Sequence, residues 1–94
     1  MNFTQVEGEN KGQITLYALS TCPWCKKTKA LLDDLGVAYE FLDVDLVSPE
    51  EREEMDASVR KWNPTFSFPT LVLNNEKVII GYDPDKIKEA LGYE

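Results

Sequence analysis

Short apolar runs alternate with segments of helical spacing along this chain, and turn-forming residues separate them. Residues 14–19 make a β-prone run around Ile14, Leu16 and Tyr17, bounded by Gly12 before it and Ser20-Thr21 after it. Pro23 suits the first turn of a helix, where its missing N–H costs nothing. The segment from Pro23 to Leu35 holds helix formers throughout, with Ala30, Leu31 and Leu35 expected on one apolar face. Gly36 is a natural stop. Residues 39–44, with Tyr39, Phe41 and Val44, read as a second strand. Ser48, Pro49 and Glu51 then form a capping-box pattern, which predicts a helix from Pro49 to about Trp62. Met55, Val59 and Trp62 recur at helical spacing within it, and Asn63-Pro64 ends it. Residues 70–73 and 77–80 read as two strands, joined through Asn74-Asn75-Glu76 in a hairpin. Asp83 and Pro84 open a last short helix that Gly92 closes.

The element order is strand, helix, strand, helix, strand, strand, helix. It predicts an α/β fold in which a four-stranded mixed sheet is flanked by three helices. With 94 residues the chain makes one domain. Residues 13–94 hold the folded elements. Residues 1–12 are polar and contain glycine, so they read as a flexible tail able to add an edge strand. That tail lacks the apolar centre of a signal peptide, and no run is long enough to span a bilayer. The expected address is cytoplasmic, where structural disulfides are rare.

Charge narrows the function classes. Hydrophobic residues at 43% and charged ones at 29% suit a soluble globular protein. A formal net charge of −7 argues against a general nucleic-acid binder. The charges are uneven: Lys26, Lys27 and Lys29 sit together, while Glu50, Glu51, Glu53, Glu54 and Asp56 crowd one later stretch. The acidic run reads as a solvated helix face. Lys26, Lys27 and Lys29 are weighed equally as a solvated face and as supporting charge for the chemistry just before them, Lys26 and Lys27 being the two assigned to it.

That chemistry is Thr21-Cys22-Pro23-Trp24-Cys25, which contains both cysteines of the chain. Cys22 falls at the N-cap or first position of a helix, where unpaired N–H groups and the helix dipole favour a thiolate. Cys25 lies three residues on, deeper on the same face. The pair can therefore divide the work of a dithiol/disulfide cycle, with Cys22 as nucleophile and Cys25 as resolving thiol. No histidine is present, so a Cys–His nucleophile is excluded. A structural zinc site needs four ligands, and two cysteines would reach that number only in a dimer. No metal ligands are assigned. Trp24 is either a packing residue or an apolar wall beside the thiol. Trp62 reads as core, while Phe66 and Phe68 are either core or an apolar rim.

Together, the Cys22–Cys25 motif, Phe68-Pro69-Thr70 and Gly81-Tyr82-Asp83 resemble a dithiol glutaredoxin of the thioredoxin superfamily, over about residues 13–91. The resemblance implies a thioredoxin fold and a redox-active center that reduces disulfides in proteins or mixed disulfides with glutathione. Such a protein serves as an electron carrier in electron transport and cell redox homeostasis. It implies a cis Pro69 facing the cysteines, with the backbone of Phe68 pairing with an extended substrate. It also assigns Pro23, Trp24, Thr70, Gly81, Tyr82 and Asp83 to substrate binding, with Gly81 and Asp83 matching the region that receives the γ-glutamyl end of glutathione.

Two departures stand out. Tyr82 occupies the place of the second glycine of a usual Gly-Gly pair, and Leu19 and Ser20 occupy the place of a glutathione-binding lysine. The run from Gly81 to Asp85 also resembles the glutaredoxin-like electron donors of ribonucleotide reductase, which are typically re-reduced by thioredoxin reductase. The expected protein is a monomer with no bound cofactor. Glutathione as co-substrate or a thioredoxin-reductase-like enzyme would supply its electrons, and its partners would be disulfide-containing proteins, ribonucleotide reductase among them. Two rivals remain: a dimer bridging a [2Fe–2S] cluster with two glutathiones, and a binding module whose cysteines are incidental.

Overall fold

The computed structural model describes residues 2–93. Its centre is strand β2 (Ile14–Ala18), buried at every position. A strand buried throughout must have both faces covered, and the pleat decides which side chain goes where. Ile14, Leu16 and Ala18 enter one core with Leu32, Leu71, Leu73, Ile79 and Ile87. Tyr17 enters the other core, with Leu42, Val44, Met55, Val59 and Val72. The first core is roofed by helices α1 (Pro23–Leu35) and α3 (Pro84–Ala90), and the second by α2 (Arg52–Trp62).

The remaining strands build outward from β2. On one side β3 (Tyr39–Asp43) runs parallel to it, and on the other β4 (Thr70–Leu73) runs antiparallel. Strand β5 (Lys77–Ile80) pairs antiparallel with β4, as a hairpin requires. Asn74 and Asn75 at that turn both take φ of 55°, a left-handed conformation that asparagine tolerates better than most residues. The predicted bounds of β4 and β5 match the structure.

The sheet has five strands rather than four. Residues 4–6 form β1 (Thr4–Val6), antiparallel to β3, so the order is β1-β3-β2-β4-β5. The segment read as a tail thus contributes an edge strand and a second attachment. The Glu9 N–H donates to Gly36 O at 2.8 Å, and Ala38 N–H donates back to Glu9 O at 2.9 Å. Gly8 allows this approach, because a Cβ there would stand 2.5 Å from the Val37 carbonyl carbon.

Two helices differ in detail from their expected form. The buried positions of α1 are Cys25, Thr28 and Leu32, with Leu31 and Leu35 half-buried, while Ala30 faces solvent. The stripe is set by where Cys25 and Leu32 meet the sheet, which shifts it around the helix from the face inferred through Ala30. The segment before α2 begins as a 3-10 turn (Pro49–Glu51) rather than an α-helical turn, and the Ser48 side chain makes no bond to the backbone there. Its hydroxyl instead donates to the Glu51 carboxylate at 3.3 Å.

Leu32→Ala is expected to cost about 2–5 kcal/mol, the range for a buried Leu truncation, while Ala30→Ser stays within about 0.5 kcal/mol. Gly8→Ala should cost about 1–3 kcal/mol by forcing backbones apart. Urea unfolding followed by circular dichroism measures all three.

Candidate functional site

Strand register gathers the site at one end of the sheet. Tyr17 pairs with Thr70, and Thr70 pairs with Ile80. The exit of β2, the entry of β4 and the exit of β5 therefore lie side by side. From these three ends continue the loop to Cys22, the Phe68-Pro69 segment and the Gly81-Tyr82 turn. The Gly81 N–H donates to Pro69 O at 2.8 Å, which locks the last two together.

Cys22 is the N-cap of α1, with extended backbone (φ −87°, ψ 116°), and Pro23 follows at the first helical position. Its sulfur accepts the N–H of Cys25 at 3.2 Å, an otherwise orphaned donor of the first turn. Cys22 is half-buried and Cys25 is fully buried, and neither forms a disulfide in this structure. Burial pushes the Cys25 thiol up to about 12, and its hydrogen bond to Cys22 pushes the same way. At neutral pH Cys25 therefore holds its proton, while the half-buried sulfur of Cys22 is the more accessible of the two. One cysteine is accessible and backed by a donor, and the other waits behind it as a thiol.

The loop before Cys22 is tethered. Ser20 donates to Asp45 through its N–H (2.8 Å) and its hydroxyl. These bonds hold the exposed Asp45 carboxyl below the usual carboxylate range. Leu19 turns into the second core. Neither Leu19 nor Ser20 can supply a cation, and the charge nearby comes from α1. Lys26 is exposed. Lys27 sits 4.6 Å above the Trp24 ring, a cation–π contact. Lys29, grouped with Lys26 and Lys27 in the sequence, is fixed between Asp43 at 3.1 Å and the Phe41 ring at 4.0 Å. Its charge draws the Cys25 thiol slightly downward, against the larger effect of burial.

Five of the residues expected to meet substrate come together. Trp24, Phe68, Pro69, Gly81 and Tyr82 line an open depression of about 290 Å³ beside the Cys22 turn. The Phe68–Pro69 peptide bond is cis, and Pro69 is fully buried. Trp24, 55% exposed, stacks on Tyr82 with ring centroids 5.9 Å apart. Pro23 is exposed at the start of the helix. Like Pro23, the remaining two residues do not line the depression. Thr70 is fully buried, and its hydroxyl donates to Ser67 O at 2.8 Å and accepts from Asn63 Nδ2 at 3.0 Å. Asp83 caps α3, its carboxylate accepting the Lys86 N–H at 3.1 Å. Trp62 is half-buried against the second core, as are Phe66 and Phe68, and Phe68 touches the first core as well. Asn63, read only as a helix terminator, is a buried polar hub. Its one legible sign was a polar residue directly before a proline and a run of aromatics. Among the described residues no three His, Cys, Asp or Glu side chains cluster in a way that could hold a metal ion. No helix among them is long and apolar enough to cross a membrane.

A family model described as Glutaredoxin matches residues 14–78, a span that includes the cysteine motif, the cis proline and most of the sheet. The chain belongs to the glutaredoxin family. Two solved structures resemble this chain closely. The glutaredoxin of Methanosarcina mazei is 46% identical with a TM-score of 0.89, covering 97% of this chain and 88% of that one. The methanoredoxin of Methanosarcina acetivorans is 51% identical with a TM-score of 0.88, covering 92% and 90%. Both place the chain in the thioredoxin superfamily by fold as well as by sequence. The curated Glutaredoxin 1 of Rickettsia conorii is 37% identical over 65 residues, 69% of this chain and 61% of that protein's length.

Differential alkylation checks the asymmetry of the two thiols. At neutral pH the reduced protein should take up one iodoacetamide rapidly, at Cys22 by mass spectrometry. Cys25 should react only after unfolding or as the pH approaches its value of about 12. Comparable labelling of both in the folded protein at neutral pH would contradict the burial-based division.

Proposed function

We propose that this chain is a thiol–disulfide oxidoreductase that reduces disulfides in extended protein segments through a Cys22–Cys25 cycle. The observation that carries this reading is the half-buried Cys22 at the N-cap of α1, backed by a Cys25 N–H and a fully buried Cys25 thiol. The Cys22 thiolate attacks one sulfur of a substrate disulfide. That S–S bond breaks, a Cys22–substrate disulfide forms, and the other substrate sulfur leaves as a thiolate that takes a proton from water. Cys25 then gives up its proton and attacks the Cys22 sulfur, which releases the second substrate thiol. The substrate gains two electrons and the protein is left as the Cys22–Cys25 disulfide.

An external dithiol or a thioredoxin-reductase-like enzyme restores the thiols in this reading, rather than glutathione. Three features support that preference. Tyr82 takes the place of the second glycine and stacks on Trp24. Leu19 and Ser20 carry no charge where a glutathione-binding lysine is usual. The depression they leave is walled by aromatic rings, which suits an apolar peptide flank more than a charged tripeptide. The reading is of a monomer without bound cofactor, working where disulfides are reduced, as in the cytoplasm.

The first experiment is an anaerobic titration against reduced and oxidised glutathione, with the Cys25→Ser variant beside the native protein. The expected outcome is a disulfide that glutathione leaves closed at ordinary ratios and a Cys25→Ser protein that accumulates a mixed disulfide with a protein substrate. Ready reduction, with a Cys22–glutathione adduct, would instead make glutathione the electron source. Cys22→Ser should abolish turnover, and full activity in that variant would falsify the assignment of the nucleophile. A coloured dimer after anaerobic purification would favour the cluster-bridging alternative.

A further inference from the structure

We infer that Asn63 is a positioning residue for substrate binding, which sets the Phe68-Pro69 wall of the depression from a buried site behind it. The inference rests on the proposed reading of that depression as the place where the substrate's peptide flank lies. Asn63 is fully buried at the C-terminus of α2, and every polar group it owns is engaged. Its N–H donates to Val59 O at 2.8 Å, which ties it to the helix, and its carbonyl accepts the Phe66 N–H at 2.9 Å. The side-chain oxygen accepts the Thr65 N–H at 3.1 Å. The side-chain NH₂ is shared among three oxygens: Ser67 O at 2.9 Å, Ser67 Oγ at 3.1 Å and Thr70 Oγ1 at 3.0 Å. The loop thus closes as a ring around one amide, from the end of α2 to the first residue of β4.

Only an amide answers this set of partners, because it offers an acceptor on one side and two protons on the other. The ring also holds a backbone that would otherwise relax. Phe66 has φ of 58°, a left-handed conformation that costs a bulky residue free energy and persists only when its surroundings enforce it. In that conformation the Phe66 ring meets Phe68 edge to face, with centroids 5.2 Å apart. Arg60 secures the outer side, donating to Pro64 O at 3.2 Å with its guanidinium 4.5 Å from the Phe66 ring. The chain of contact runs from Asn63 through the Phe66 backbone and ring to Phe68, which lines the depression. Asn63 touches no substrate in this scheme and acts through that wall.

Asn63→Asp keeps the size and the acceptor but removes both protons and faces the three oxygens with a carboxylate. Thr70→Val removes one of those oxygens and is the milder second variant, used if the first does not fold. The assay follows reduction of a short synthetic peptide closed by one disulfide, with dithiothreitol supplying electrons. Alongside it run the rate of Cys22 alkylation by iodoacetamide and amide hydrogen exchange of residues 65–68. Asn63→Asp should raise KM for the peptide about tenfold, the scale of one or two lost buried hydrogen bonds, while kcat and the alkylation rate stay within about twofold. Exchange should rise in residues 65–68 and hold in α1 and β2. Thr70→Val removes the hydroxyl's bonds to Asn63 and to Ser67 O but leaves the Asn63 amide its two Ser67 oxygens, so it should shift KM the same way by about threefold. An unchanged KM beside faster exchange would overturn the inference and leave Asn63 a structural residue only. A fall in alkylation parallel to the rise in KM would overturn it too, as general damage to the site. A native protein that adds nothing to the rate seen with dithiothreitol alone would remove the proposed substrate class and this inference with it, whereas an active native protein with indifferent variants removes the inference alone.

Discussion

The pairing of β4 antiparallel to β2 is the constraint on which the site depends. Had β4 run parallel, its first residues would lie at the far end of the sheet, some strand length from the thiols. Antiparallel pairing instead sets Thr70 opposite Tyr17 and so delivers Phe68 and Pro69 to the end where β2 hands over to α1. The hairpin to β5 extends the same logic to Gly81 and Tyr82, since Ile80 must return to the level of Thr70. Three segments distant in sequence converge without a long loop, and the energy that holds them is the ladder and the two cores, not the site itself.

Much of this was legible in the chain because local physics and tertiary packing agree. The β2, β4 and β5 segments are apolar on both faces or bounded by asparagines and glycines, and the cysteine motif follows β2 directly, with proline in the position a helix accepts. Legibility failed where the deciding partner is remote. β1 has three residues, too few for a period, and it exists because β3 offers an unpaired edge and Gly8 lets two backbones touch. Ala30 and Leu32 are both helix formers, so spacing alone could not tell which of them faces the sheet. Thr70 was assigned to substrate by its neighbours Phe68 and Pro69, yet the pleat turns it inward, where its hydroxyl serves the loop.

Asn63 shows the same limit more sharply. In sequence it marks the end of a helix, which it is. Its larger role depends on Ser67 and Thr70 returning to it across a tight loop, and no periodicity announces such a closure. Buried polar residues of this kind specify one geometry because each alternative leaves a donor or acceptor without a partner. The aromatic pair Phe66 and Phe68 then passes that geometry outward to the surface.

The depth of Cys25 has a bearing on chemical durability. An oxidant dissolved in water meets the half-buried Cys22 first and Cys25 hardly at all. The first product on Cys22 is a sulfenic acid, which a neighbouring thiol converts to a disulfide with loss of water. The thiol that does so is already against it and is itself sheltered from the oxidant. The step to sulfinic acid, which is not readily undone, must therefore outrun an attack from within the same helical turn. The burial that raises the Cys25 pKa also keeps it in reserve, so under the proposed cycle oxidative damage at Cys22 is channelled into a bond that a reductant can reopen.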